Sequence, residues 1–328
     1  MTYAATVVIP TYNRRAMVRE AVESVLAQRG ASFELIVIDD GSSDGTYREL
    51  SRLASERGSI EGAEMRIERT ENRGPAAARN LGGALARASL LAFLDSDDLW
   101  HPDKLVRQIE FMRANPALAI SQCQEIWIRN ARRVNPGRRN LKRAGHIFID
   151  SLRTCLVSPS AVILRTDLFR ALGGFDETMA GAEDYDLWLR VLIDHEIGLQ
   201  DEFLVTHRAG HSDQLSATIP ALDRFRILAL AKLLAQPRLG GERRDAAADV
   251  LAEKCKIYAR GLRRRGRSDE ASFFDRVAER ALGVWKARAD ESLAREITAI
   301  CKMVSAEQTV GAGRGVRASM PGQGPLPN

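Results

Sequence analysis

The sequence predicts an α/β protein built on a mainly parallel sheet flanked by helices. Three observations predict it. Runs of strand length recur at residues 5–10, 33–38 and 90–94, and they are apolar almost throughout, as strands buried on both faces are. Stretches with the apolar spacing of helices separate them. Two of the runs end abruptly in acidic clusters, Asp39-Asp40 and Asp95-Ser96-Asp97-Asp98, at the carboxyl ends of strands, where open parallel sheets bind ligands.

Length and composition bound the reading. With 328 residues, 45% of them hydrophobic and 28% charged, the chain has the makeup of an ordinary globular protein, with room for one domain of about 200 residues and a smaller companion. No apolar run reaches the ~18–20 residues that span a bilayer. Met1-Thr2-Tyr3 leads into the first strand without a basic segment, so no secretory signal is expected. Cys123, Cys155, Cys255 and Cys301 are too scattered for close-pair zinc spacings or a disulfide framework. They read as reduced residues of a cytoplasmic protein. Charge is unevenly shared: residues 1–220 hold 27 Lys and Arg against 30 Asp and Glu, and residues 221–328 hold 21 against 13. That shift marks a boundary near 220. The expected organisation is a sheet-bearing domain over 1–218, a helical extension over 219–305, and a Gly-, Pro- and Ser-rich tail over 306–328 that should be disordered.

Taken in order, the first strand (5–10) closes at Pro10 and is followed by Thr11-Tyr12-Asn13. The next helix carries Ala16, Met17, Ala21, Val25 and Leu26 on its apolar face. The second strand (33–38) ends in Asp39-Asp40-Gly41, and Asp44 and Thr46 are candidate N-caps for a helix over 47–56. A short third strand (65–69) precedes Asn72-Arg73-Gly74-Pro75 and an alanine-rich helix over 76–88. The fourth strand (90–94) opens the larger acidic cluster. A helix over 105–113 and strand-like runs at 118–123 and 125–129 follow, then a basic loop through residue 143 containing Arg132, Arg133, Arg138, Arg139 and Lys142. A strand at 158–164 leads to a short helix capped by Thr166 or Asp167. Leu187, Trp188, Val191 and Leu192 form the apolar face of a helix whose first turn holds Glu183 and Asp184. A strand over 203–206 runs into a polar stretch with Arg208 and His211. Beyond it, 221–235, 246–263 and 268–287 read as helices, the last two packed as a hairpin through Tyr258, Leu262, Ala271 and Phe274.

Several of these residues carry chemistry, each beside a plainer alternative. Three carboxylates in four positions repel one another, which a divalent cation among them would relieve; hard oxygen ligands suit Mg²⁺ or Mn²⁺ held partly by substrate phosphates. The alternative is an acidic turn capping the next helix. Asp39-Asp40-Gly41 is a turn, or an acceptor for a nucleotide base or ribose. Arg79 is a solvated arginine, or a phosphate contact facing the crevice. Glu183 and Asp184 favour a helix start through the macrodipole. Equally, two adjacent carboxylates competing for ionisation can raise one pKa toward a general base's range. The basic loop is a solvated connection, or else a flexible lid or a contact for an anionic acceptor, and Arg208 and His211 are exposed or are phosphate or metal contacts.

Taken together, Val8-Ile-Pro-Thr-Tyr-Asn13, Val37-Ile-Asp-Asp-Gly-Ser42, Asn72-Arg-Gly74 with Ala78-Arg79-Asn80, Asp95-Ser-Asp-Asp98 and Glu183-Asp184 resemble the motifs of the family 2 glycosyltransferases. The likeness covers about residues 5–216. It implies a GT-A (Rossmann-like) fold and a metal-dependent, inverting transfer of a sugar from a nucleotide-diphosphate donor to a hydroxyl of a glycan, lipid-linked or other acceptor. No nucleic-acid partner is implied. By the resemblance, Pro10, Thr11, Tyr12 and Asp40 face the nucleotide base, while Asp95, Ser96 and Asp97 form the Asp-X-Asp element for ribose and metal-diphosphate contact. Asp98 shares the metal role, and which of the three carboxylates is the direct ligand is left open. Asp184, beside Glu183, is the catalytic base; Arg208 and His211 lie near the diphosphate or metal. The basic C-terminal helices pack on the catalytic domain, rest on the cytoplasmic face of a membrane, or hold an acceptor-side partner. A nucleotidyltransferase and a non-catalytic nucleotide- or glycan-binding protein are the other readings of these carboxylates.

Overall fold

A computed structural model describes residues 3–57, 62–135, 137, 140–210, 222–288 and 291–312. Among them nine strands form one sheet: β1 (Ala5–Thr11), β2 (Phe33–Asp39), β3 (Ala63–Arg69), β4 (Leu90–Phe93), β5 (Leu99–Trp100), β6 (Ile120–Arg129), β7 (Arg132–Val134), β8 (Val162–Arg165) and β9 (Gly198–Ala209). Their spatial order is β3-β2-β1-β4-β8-β6-β9-β5, with β7 paired to β6. β1 pairs in parallel with β2 and β4, β2 with β3, and β6 with β9. β8 enters antiparallel between β4 and β6. β1, β2, β3, β4, β6 and β9 therefore point the same way, and their carboxyl ends share one edge.

The helices expected between the first four strands are α1 (Arg15–Leu26), α2 (Thr46–Arg57) and α3 (Pro75–Leu85); α4 (Lys104–Ala114) follows β5. The two runs read at 118–129 form the single strand β6, irregular at Cys123, Gln124 and Glu125, where its register against β9 shifts. Within the basic loop, Arg132–Val134 form β7 and pair with β6 as a hairpin. Asn130 and Ala131 take positive φ of 50° and 58° at its turn, the conformation that matches the twist of paired strands.

Side chains alternate across the sheet into two cores. Val7, Ile9, Leu35, Val37, Ala92 and Leu94 face α1 and α4. Val8, Ile36, Ile38, Leu91 and Phe93 face the other way, toward α3, α6 (Thr166–Ala171) and α7 (Glu183–Leu192), α5 (Phe148–Ser151) being a single turn on that side. This second core continues without a break into α8 (Asp223–Leu234), α9 (Gly241–Arg264), α10 (Ser268–Arg280) and α11 (Glu291–Ala312), taking in Phe225, Leu251, Phe274, Trp285 and Ile300. The C-terminal helices are thus packed onto the sheet-bearing part. Tyr258 and Phe274 join α9 to α10 edge-to-face, with ring centroids 4.8 Å apart. α11 extends through Ala312, past the position 306 where disorder was expected; the rest of that tail, and His211, lie outside the described residues. Cys123 and Cys255 are buried and Cys155 and Cys301 half-buried, all as free thiols. Among the described residues no helix is long and apolar enough to cross a membrane.

Candidate active site

The shared carboxyl edge of the strands opens into a cleft of about 1100 Å³. Pro10, Thr11, Tyr12, Asp40, Arg79, Asp95, Ser96, Asp97, Glu183 and Asp184 all line it. The parallel register explains why. Thr11 lies beside Asp39 and Val8 beside Phe93, so the residues following β1, β2 and β4 emerge together. Tyr12 keeps 47% of its surface exposed there.

Asp40 is almost wholly buried. Its Oδ1 accepts the Arg73 N–H at 2.9 Å and its Oδ2 the Gly74 N–H at 2.7 Å, and the Thr70 hydroxyl lies at 3.2 Å. It therefore anchors the loop leading into α3. Gly41 makes that approach workable: at φ 80° an added Cβ would stand 2.8 Å from the Asn72 nitrogen. α3 in turn sits hard on the sheet, where a Cβ on Gly82 would come within 2.3 Å of Val8 Cγ1. This close seat carries Arg79 into the cleft wall.

Residues 95–98 form a turn, closed by the Asp98 N–H on the Asp95 carbonyl at 2.9 Å. Each of its three carboxylates has a protein cation of its own. Arg79 Nη2 lies 2.6 Å from Asp95 Oδ1, Arg14 Nη1 lies 2.6 Å from Asp97 Oδ2, and His207 Nδ1 lies 3.1 Å from Asp98 Oδ1. The mutual repulsion that seemed to call for a divalent cation is met by the fold itself. Asp98, expected to share a metal, instead closes the turn from within. It is buried, and it accepts the Ser160 hydroxyl at 2.6 Å and the Arg208 N–H at 2.9 Å. Burial alone would lower the His207 pKa, but the Asp98 carboxylate outweighs it and holds the imidazole up at about 9.

Arg208 likewise departs from expectation. Its guanidinium donates to the Asp97 carbonyl and pairs with Glu20, away from the cleft, while the preceding His207 lines it. Side chains alternate along β9, so a one-residue step exchanges the faces. Arg14 and His207 are among the cleft residues that reading the sequence missed. The signal for Arg14 was its place just beyond the end of β1.

Arg79, expected to touch phosphate, bridges two carboxylates. Its Nη1 lies 2.8 Å from Glu183 Oε1 while Nη2 holds Asp95, and the guanidinium stacks 5.3 Å from the centre of the Phe175 ring. Burial opposes its charge and the two carboxylates more than restore it. Glu183 opens α7 behind Ala182, a non-glycine residue in the left-handed region at φ 57°. Such a conformation is strained and persists only where its surroundings impose it. It aims Asp184 into the cleft. Asp184 Oδ1 accepts the Tyr185 N–H at 2.7 Å, and the Cys155 thiol lies 3.7 Å from Oδ2. Burial first, and then the neighbouring Glu183, raise the Asp184 pKa to about 6.

The donor set fits a hard divalent metal. Asp95 and Asp97 turn toward the cleft with 27% and 16% of their side chains exposed. Among the described residues no group of three or more His, Cys, Asp or Glu is placed to hold an ion unaided.

Comparisons with known proteins bear on the family and the fold. The profile "Glycosyl transferase family 2" matches residues 6–173, just over half of the chain. The chain belongs to that family. An "Uncharacterized glycosyltransferase" of Rickettsia felis is 35% identical over 199 residues, which is 61% of this chain and 32% of that protein; the chain thus spans about a third of that relative's length. The UDP-Glc:alpha-D-GlcNAc-diphosphoundecaprenol beta-1,3-glucosyltransferase WfgD of Escherichia coli is 31% identical over 201 residues, covering 60% of this glycosyltransferase and 72% of WfgD. Among solved structures, S. aureus TarS 1-349 in complex with UDP-GlcNAc superposes with a TM-score of 0.65 at 18% identity, over 95% of this chain and 92% of TarS 1-349. The C-terminal helices fall within that shared fold.

Proposed function

We propose that this family 2 glycosyltransferase moves a sugar from a nucleoside-diphosphate donor to an acceptor hydroxyl with inversion, using Asp184 as general base, in the assembly of a cell-surface polysaccharide or other glycoconjugate. The observation that carries the reading is the Asp95–Arg79–Glu183 bridge. One guanidinium links the carboxylate turn to the helix that presents Asp184, so the leaving-group and base sides of the cleft are rigidly joined. The name of the E. coli relative supports the biosynthetic setting.

In this reading the exposed ring of Tyr12 offers the base a stacking face between Pro10, Thr11 and Asp40. Asp95, Ser96 and Asp97 face the ribose and diphosphate. Mg²⁺ or Mn²⁺ held by Asp97, with Asp95 beside it, would supply Lewis-acid neutralisation of the leaving diphosphate. The acceptor oxygen attacks the anomeric carbon as the bond to the diphosphate oxygen breaks. The nucleoside diphosphate leaves with that electron pair, and Asp184 takes the hydroxyl proton. A base with a pKa near 6 is ionised at neutral pH yet basic enough to share a proton in the transition state.

Incubating the protein with a panel of nucleotide sugars, acceptors and Mn²⁺ tests the reaction class. Release of nucleoside diphosphate is expected; release of pyrophosphate, or no turnover with any donor, would overturn it. The metal site makes a separate prediction. Asp97→Ala should abolish the gain in nucleoside-diphosphate affinity on adding Mn²⁺ or Mg²⁺, and an unchanged gain by titration calorimetry refutes the assignment.

We also assign the chain to the cytoplasmic face of a membrane through α9 and the turn after it. Lys256, Arg260, Arg264 and Arg265 are exposed there around Ile257, itself 44% exposed. Near an anionic surface each such cation contributes about 1 kcal/mol. Because the C-terminal helices share the core, truncation is a poor test and charge reversal a better one. Arg260→Glu, Arg264→Glu and Arg265→Glu together should remove salt-sensitive binding to phosphatidylserine vesicles; equal sedimentation of both proteins would leave α9 with a packing role alone.

A further inference from the structure

The helical extension contributes to the cleft as well as to the core. Leu222 and Arg226, at and just inside the start of α8, line it together with Cys155, Asp184 and Tyr185. Arg226 stands apart from the other cleft cations. Arg14 is held by Asp97, Arg73 by Glu177, Arg79 by Asp95 and Glu183, and His207 by Asp98. Among the described residues the Arg226 guanidinium makes one long ion pair, Nη1 to Asp223 Oδ1 at 3.3 Å, and Lys254 approaches that same oxygen at 3.4 Å. Its Nε is buried with no hydrogen-bond partner among the described residues. A guanidinium so loosely engaged, 32% exposed and in a cleft wall, is suited to an oxyanion, for which its planar fork is well matched.

Its place decides which substrate that oxyanion belongs to. Among the described residues no hydrogen bond or ion pair joins Arg226 to Tyr12, Asp40 or the 95–98 turn, where the donor's base and diphosphate are assigned. It lies instead near Cys155, whose thiol reaches Asp184. Burial raises both the Cys155 thiol and the Tyr185 phenol, and the charge of Arg226 acts against that rise at both. The cation therefore stands on the base's side of the cleft, where the attacking hydroxyl must arrive.

We propose that Arg226 binds a phosphate of the acceptor, so that the acceptor is a phosphate ester with its reactive hydroxyl close to the phosphate. This rests on the glycosyltransferase reading and narrows it to an acceptor class. Two sources share that chemistry, a polyol phosphate and a glycosyl diphosphate on a lipid.

Calorimetry on the full chain, saturated with nucleoside diphosphate and Mg²⁺ so that the donor site is filled, separates them. Glycerol 1-phosphate and geranyl diphosphate are the phosphate probes, and glycerol is the neutral control. At least one phosphate probe should bind the wild-type protein and lose on the order of tenfold in affinity in Arg226→Gln, with partial recovery in Arg226→Lys. The probe that binds more tightly identifies the source. Nucleoside-diphosphate affinity should be the same in all three proteins, which shows that the variants are folded and the donor site intact. Binding of a phosphate probe that is unchanged in Arg226→Gln overturns the proposal, as does a wild-type protein that takes the nucleotide and neither probe. Failure of the wild-type protein to bind any nucleoside diphosphate would instead remove the donor reading beneath it.

Discussion

Replacing Asp184 by Asn is expected to lower kcat by about 10²–10⁴-fold while leaving donor affinity within a few-fold, because the change keeps shape and most hydrogen bonding but removes the proton acceptor. In the unaltered protein kcat should rise with pH to a plateau above about 6, following ionisation of Asp184; that ascending limb should be absent from the residual activity of the variant. Stability gives an independent sign. The folded pKa is raised above the unfolded value near 3.9, so the folded state binds the proton more tightly. Its contribution to stability is present below the unfolded pKa and is lost as pH rises through about 6. Asp184→Asn should therefore melt no lower than the parent at pH 7.5. Were the carboxylate only favouring a helix start, the variant would keep its turnover and lose a fraction of ~1 kcal/mol. Melting temperature and kcat measured together decide between the two, and full turnover would refute the role. Glu183→Gln should have a smaller effect on kcat, since Glu183 holds Arg79 and does not take the proton.

Arg79→Met is expected to have the largest effect on stability. It leaves Glu183, 8% exposed at its side chain, and Asp95 facing one another without the cation between them. Removing one partner of a buried ion pair destabilises by roughly 3–5 kcal/mol, which for a chain of this size is on the order of 10 °C in melting temperature. Arg79→Lys should recover only a small part, because a single ammonium cannot reach two carboxylates in the plane of a fork. Arg79→Met with Glu183→Gln should recover more, by removing the stranded buried charge. A melting point for Arg79→Met within a degree or two of the parent would show that the bridge does not hold the cleft together.

Strand composition and order determined much of this protein from the sequence alone. Apolar runs ending in Asp39-Asp40 and at Asp95 can be satisfied only by a buried sheet whose polar residues emerge at its carboxyl edge. Ten of the residues singled out duly line one cleft. Local rules also placed Glu183 and Asp184 in the first turn of α7, since the apolar spacing of Leu187, Trp188, Val191 and Leu192 sets that helix's phase. What each charge touches was not legible. Arg14 meets Asp97 across 83 residues, Arg79 meets Glu183 across 104, and His207 meets Asp98 across 109. No local pattern encodes such separations, so the sequence did not reveal that each carboxylate of the turn also has a protein cation beside it. The choice of His207 over Arg208 turned on which face of β9 meets the cleft, a matter of register that spacing within one strand does not reveal. Arg226 entered the cleft only because the core beneath α8 is continuous with the core beneath the sheet. Sequence determines which residues can do chemistry, since that follows from side-chain type and local period; long-range packing decides which of them meet, since burial forces every charge to find a partner wherever the fold brings one.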